Sequence, residues 1–175
     1  NNIGINFTLN YDLVRKINAT EAQIKKYSLK KGDIIFNNTN SEKLVGNSFL
    51  FDDDTLCLHS NHLTKIRVNL SEIMPEWLLF YLRTLWLKRD FQQMCNKWVN
   101  QAAVNNNMIK KLEIPIPPLK TQENIINELQ KTSSTFESVT THVNEIKQNQ
   151  EKMKIYVDSI ASQVINTAFT GKLVN

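Results

Sequence analysis

Ile114-Pro115-Ile116-Pro117-Pro118 divides the chain into two unlike parts. A proline has no amide hydrogen to give to a neighbouring strand, so this spacing cannot lie inside a sheet. The stretch reads as an edge strand or an extended exit segment. It marks a boundary between a unit at 1–118 and a unit at 119–175.

Beyond the prolines, Gln122 to about Phe169 contains neither Gly nor Pro, and Thr121 reads as an N-cap with Glu123 in the first turn. Leu129, Thr132, Phe136, Val139, Val143, Ile146, Gln150, Met153, Val157, Ile160 and Val164 follow at alternating steps of three and four. This is a coiled-coil seam. At about 1.5 Å per residue the helix would reach roughly 70 Å, too long to bury its stripe against a small domain. It needs another helix. Leu129, Phe136, Val139, Val143, Ile146, Met153, Val157, Ile160 and Val164 are the candidate dimerisation residues, and Gly171 reads as the stop.

Before the prolines the pattern is mixed. Gly32-Asp33 closes a turn and Ile34-Ile35-Phe36 reads as a buried strand. Asn37 to Ser41 reads as a polar loop. Leu44-Val45, Ser48 to Phe51, Thr55 to Leu58 and Leu63 to Val68 resemble strands, with Asp52-Asp53-Asp54 as a hairpin tip. Pro75 opens a helix expected to run to about Met94, with Trp86 or Phe91 making a second contact outside the core face. A short helix is expected near Asn107 to Leu112. The fold class is therefore α+β: a twisted, mostly antiparallel sheet with packed helices, followed by a long coiled-coil helix.

Of 175 residues, 41% are apolar and 22% charged, which suits a folded core. The apolar stretch Trp77 to Leu87 is broken by Arg83 and is too short to span a bilayer, so no membrane partner is expected. The start shows no secretory leader pattern, and Cys57 and Cys95 make no disulfide framework, so a cytoplasmic location is expected. Residues 1–118 hold 15 Lys/Arg against 11 Asp/Glu, whereas 119–175 hold 6 of each. The whole +4 excess thus lies in the first unit, where a polyanion would be met.

Leu29-Lys30-Lys31-Gly32-Asp33-Ile34-Ile35-Phe36, Leu44-Val45-Gly46, Ile114-Pro115-Ile116-Pro117-Pro118-Leu119 with Gln122, and Ala168-Phe169-Thr170-Gly171-Lys172-Leu173 occur in that order. The set resembles the specificity subunits of type I restriction-modification systems. Thr121 stands where that family usually has Glu. The resemblance implies a DNA target-recognition domain followed by a spacer helix. Such subunits usually carry two of each, with the helices packed antiparallel. One copy is present here and no internal repeat is found, as in a C-terminal half or a half-subunit. The resemblance further implies double-stranded DNA, a methyltransferase (M) subunit and a restriction (R) subunit as partners. A second copy or the other half would join through an antiparallel coiled coil. S-adenosylmethionine and magnesium would belong to the other subunits, so no cofactor is expected in this chain.

Base reading needs amide and hydroxyl groups at base edges and cations at phosphates. Three polar clusters qualify. The first is Asn37, Asn38, Thr39, Asn40, Ser41 and Lys43; an ordinary turn held by Asn side chains explains it equally well. The second is Lys97, Asn100, Gln101, Asn105, Asn106 and Asn107, for which a plain surface loop is the alternative. The third is His59, Ser60, Asn61, His62, Lys65 and Arg67, with Lys65 and Arg67 on one strand face to straddle phosphates. Lys25, Lys26, Lys30 and Lys31 would add general attraction or simply form a wet surface.

Catalysis is not expected. Cys57, His59 and His62 lack a fourth zinc ligand at recognisable spacing, and Asp52-Asp53-Asp54 reads as a turn rather than a magnesium site. Glu145-Ile146-Lys147 has the carboxylate-X-lysine form of some nucleases, but it straddles the seam, where flanking charges are normal. There is no glycine-rich nucleotide element. The alternative function is a coiled-coil protein-interaction adapter that never meets DNA.

Overall fold

The computed structural model of the chain describes Asp12 and residues 14–169, with backbone alone at 136–137 and 166–169. The Phe136 side chain and the expected stop at Gly171 therefore lie outside the described residues. In chain order the elements are α1 (Glu21–Tyr27), β1 (Ile34–Asn37), β2 (Thr39–Asn40), β3 (Ser48–Leu50) and β4 (Leu63–Ile66). They continue with α2 (Pro75–Leu87), α3 (Asp90–Met94), β5 (Asn96–Trp98), β6 (Gln101–Ala103), α4 (Asn106–Ile109) and α5 (Leu119–Phe169). The chain divides by its contacts into one unit ending at Ile126 and another beginning at Asn127. The fold is α+β, as expected.

β1 is the centre of a three-stranded antiparallel sheet ordered β3-β1-β4. Its apolar run is buried on both faces because side chains alternate. Ile34 and Phe36 enter the main core, while Ile35 packs with Phe51 in a smaller cluster on the other side. At Asn38 the chain changes sheets. The Asn38 and Thr39 amides donate to the His62 carbonyl, and the Val104 amide donates to the Asn38 carbonyl at 2.9 Å. β2 then joins a second antiparallel sheet ordered β2-β6-β5. Two expected loops are thus strands. Asn37 closes β1, Thr39–Asn40 form β2, and Asn96 to Ala103 fold as the β5–β6 hairpin.

Two expected strands are not formed. Leu44-Val45 lies in a turn that Gly46 closes, with the Gly46 amide donating to the Asn37 carbonyl at 2.8 Å. Gly46 has φ +83°, and a Cβ there would overlap the Phe91 side chain. Both conditions require glycine. Thr55 to Leu58 forms only an isolated bridge, Leu58 with Ser28. β1 already has a neighbour on each edge, so this segment bonds to 27–29 instead, through Leu29 amide to Cys57 carbonyl and His59 amide to Tyr27 carbonyl.

The helix expected from Glu76 to Met94 is two helices. Arg89 takes a left-handed conformation, φ 65°, between α2 and α3. The break turns Phe91 onto Phe36, edge to face with centroids 5.1 Å apart. Phe91 is therefore core, and Trp86 packs against the same core rather than making a separate contact. α1 is not expected from the sequence pattern; Thr20 and Gln23 form a reciprocal capping box at its start.

Residues 112–118 form no strand. The prolines remove donors but keep carbonyls, and α2 supplies donors to this exit segment. Trp77 Nε1 donates to the Pro115 carbonyl at 2.8 Å and Tyr81 Oη to the Glu113 carbonyl at 3.0 Å. α5 begins at Leu119, with the Thr121 and Gln122 amides donating to the Pro118 carbonyl, so Thr121 is inside the first turn rather than its cap. Gln122 is fully buried. Its Oε1 accepts from the Met74 amide at 2.9 Å, and its Nε2 donates to the Glu72 carbonyl at 2.9 Å and the Pro117 carbonyl at 2.7 Å.

Gln122→Ala removes the partner of one amide and two carbonyls in a half-buried contact, and is expected to cost about 2–4 kcal/mol in urea unfolding. Gly46→Ala combines backbone strain with overlap on Phe91, and is expected to cost at least about 2 kcal/mol in the same assay. A loss below about 0.5 kcal/mol for either would show that the position relaxes freely.

Candidate nucleic-acid interface

The sheet switch at Asn38 places the start of β2 beside the turn before β4, and β6 brings the β5–β6 hairpin against β2. The result is an open cleft of about 480 Å³. Asn37, Thr39, Asn40 and Ser41 line it from the first polar cluster, Asn100 and Gln101 from the second, and Ser60, His62 and Leu63 from the third stretch. Three segments distant in sequence thus share one surface. Its lining is amide, hydroxyl and imidazole, with Leu63 as an apolar member not anticipated from sequence.

The remaining candidates lie outside the cleft lining. Asn38 Nδ2 donates to Thr64 Oγ1 at 2.9 Å and to the Asn61 carbonyl at 3.2 Å, holding the Asn61 turn against the sheet switch. Asn105 caps α4 by accepting from the Met108 amide at 3.1 Å. His59 Nδ1 lies 3.1 Å from the Ser60 and Leu63 carbonyls, and its ring packs on Tyr27. Asn61, Lys43 and Asn107 are exposed outside the cleft lining. Lys97 pairs with Glu42 at 2.8 Å, both exposed.

Within the cleft, Asn40 is held at both ends of its amide. Nδ2 donates to Asn37 Oδ1 at 3.2 Å, and Oδ1 accepts from the Ser41 amide at 2.7 Å. Asn37 is buried, and its Nδ2 has no hydrogen-bond partner among the described residues. Asn37 and Asn40 therefore shape the floor, while Thr39, Ser41, His62, Asn100 and Gln101 supply the more accessible groups. Asn100 takes φ 64°, a conformation asparagine tolerates, at the hairpin turn.

Lys65 and Arg67, expected as a phosphate clamp, both have partners within the chain. Lys65 Nζ donates to the Ser28 carbonyl at 2.8 Å, and Arg67 makes two 2.6 Å bonds to the buried Asp33 carboxylate. A phosphate would have to compete with these partners. Burial alone would raise the Asp33 pKa. The Arg67 hydrogen bonds, the Lys30 amide and the charges of Arg67 and Lys65 together outweigh it and hold the carboxyl below its ordinary value. Burial raises the pKa of both Cys57 and Cys95, which are free thiols. Among the described residues no three His, Cys, Asp or Glu side chains converge as a metal site. Among them, too, no helix is long and apolar enough to cross a membrane.

The profile of the type I restriction modification DNA specificity domain matches residues 3–148. The chain belongs to that family. Among curated members of the type I specificity family, it is 36% identical over 106 residues to the putative MjaX specificity subunit of Methanocaldococcus jannaschii, covering 60% of this chain and 25% of that one. It is 23% identical over 164 residues to the StySPI specificity subunit of Salmonella potsdam, covering 91% of this chain and 33% of that one. The chain thus spans a quarter to a third of the length of these type I relatives. A solved chain from work on complex assembly and conformational transition of the type I R-M system superposes with a TM-score of 0.58 at 20% identity, over 73% of this chain and 29% of that one. That likeness is one of fold.

The Asp33 carboxyl titrates lower in the folded chain than the unfolded value of about 3.9. Its stabilisation is full above that value and lost as pH falls through the lower folded one. Arg67→Ala at neutral pH is expected to cost about 2 kcal/mol, allowing for water around the half-exposed guanidinium. Asp33→Asn should flatten the acid side of the stability–pH curve. An unchanged acid slope in urea titrations would contradict this coupling.

Proposed function

We propose that this chain is the non-catalytic DNA reader of a type I restriction-modification complex, recognising one half of a split double-stranded target. One observation carries the reading: three polar segments far apart in sequence converge on one cleft, in a chain of the specificity family. Asn100 and Gln101 have the amide donor–acceptor pair that fits an adenine edge, and Thr39, Ser41 and His62 add hydroxyl and imidazole contacts. The +4 excess of residues 1–118 supplies general attraction to phosphates. Methyl transfer and cleavage would belong to the M and R subunits, which bring S-adenosylmethionine and magnesium. This chain's part is to place them on the target.

The second unit supports the spacer role. Leu129, Val139, Val143, Ile146, Met153, Val157, Ile160 and Val164 are all exposed in the single chain. A stripe of this length is covered when the helix packs antiparallel against a second copy or another half. Two identical halves so joined would read a symmetric split site.

Selection of duplexes from a randomised pool, with and without a methyltransferase subunit, tests the reading. Enrichment of a defined half-site is expected, with binding that weakens steeply as salt rises. Asn100→Ala or Gln101→Ala should weaken the selected duplex roughly 5- to 150-fold and relax one base position. No enrichment in either case favours the adapter function. In sedimentation, Val143→Asp with Ile146→Asp should convert a self-associated chain to monomer without lowering the melting cooperativity of the first unit. A wild-type chain monomeric at high concentration would mean that the helix pairs only with another half.

A further inference from the structure

The β5–β6 hairpin carries two large apolar residues where a surface turn would ordinarily be polar. Trp98 is 61% exposed and Val99 90% exposed. They adjoin the cleft directly: Trp98 pairs across the hairpin with Gln101, and Asn100 follows Val99. The tip is also fixed. β6 is anchored to β2 by Ala102 opposite Asn40 and Ala103 opposite Thr39, Ala102 being fully buried.

We infer that Trp98 and Val99 read the C5-methyl groups of thymine in the major groove, at or next to the base pair met by Asn100 and Gln101. The inference rests on the DNA-reading proposal and extends it to base identity. A two-stranded ribbon fits the major groove, and thymine is the one base that offers an apolar group there. The amides of Asn100 and Gln101 suit adenine, whose partner carries that methyl in the same groove. The dimensions agree as well. Paired strands lie about 4.8 Å apart, between one and two of the roughly 3.4 Å steps between bases, so residues across the hairpin address neighbouring pairs. A protein partner is the weaker reading, because two side chains fall far short of the roughly 1,000 Å² a specific protein interface needs, and they are bordered by the cleft's amides.

The test uses the full chain and the duplex enriched in the selection described above. Each thymine is replaced singly by uracil, which removes the methyl and nothing else. For the wild type, uracil at one or two positions is expected to weaken binding about four-fold. Trp98→Ala and Val99→Ser should each weaken the thymine duplex about ten-fold and show no further loss with uracil at those positions. Both residues are exposed, so unchanged melting curves should confirm folding, and Trp98→Phe should retain most of the binding. A selected duplex that tolerates uracil everywhere overturns this inference and leaves the DNA-reading proposal standing. Failure of the selection itself removes both. If Trp98→Ala releases the methyltransferase subunit while uracil sensitivity persists, the tip is a protein contact and the inference is overturned.

Discussion

The side-chain amide of Gln122 bonds the start of α5 to two neighbouring segments of the first unit. It ties the first turn of α5 to the Pro117 carbonyl behind it and to the Glu72 and Met74 backbone ahead of α2. Around it, Trp77 and Tyr81 bond the carbonyls of the proline segment. A proline-rich exit cannot be fixed by a strand ladder, so side-chain donors from a neighbouring helix do that work. Ile126, one turn further on, is buried as well. The start of the long helix is therefore part of the first unit's packing, and the contact boundary falls after Ile126 for that reason.

Asn38 plays the corresponding part at the other end of the molecule's logic. Its backbone passes the chain from one sheet to the other, and its side chain holds the Asn61 turn beside that crossing. The cleft exists because a strand changes sheets there. Asn37 and Asn40 then fix each other on its floor. Under the proposed function, asparagine serves two ends in one place. Some amides build a rigid frame by satisfying backbone and one another, and others stand at the surface with their donors and acceptors outward. Rigid framing matters for base reading, because a side chain that must first be ordered loses entropy on binding.

Much of this was legible in the sequence. The buried run at Ile34 to Phe36, the opening of α2 at Pro75 and a long helix after the prolines all follow from period and proline placement. So did the three polar clusters, although not their convergence, which depends on strand order. What escaped has physical causes. The strands within Asn96 to Ala103 are three residues each and show no apolar–polar alternation; they form because β6 pairs with β2 and β5 with β6. Leu44-Val45 looks like a strand, but Gly46 must turn against Phe91. The break at Arg89 carries no Gly or Pro signal; burial of Phe91 decides it. The pairing of Arg67 with Asp33 was not readable because the two lie 34 residues apart in sequence.

The central claim is that the cleft formed by 37–41, 60–63 and the β5–β6 hairpin is the surface that meets DNA. Backbone hydrogen exchange of the full chain, with and without a saturating selected duplex, tests it most directly. Slowed exchange is expected at Thr39, Ser41, His62, Asn100 and Gln101 together, with the amides of α2 unchanged. Saturated binding that protects other surfaces while these three segments exchange as in the free chain would contradict it.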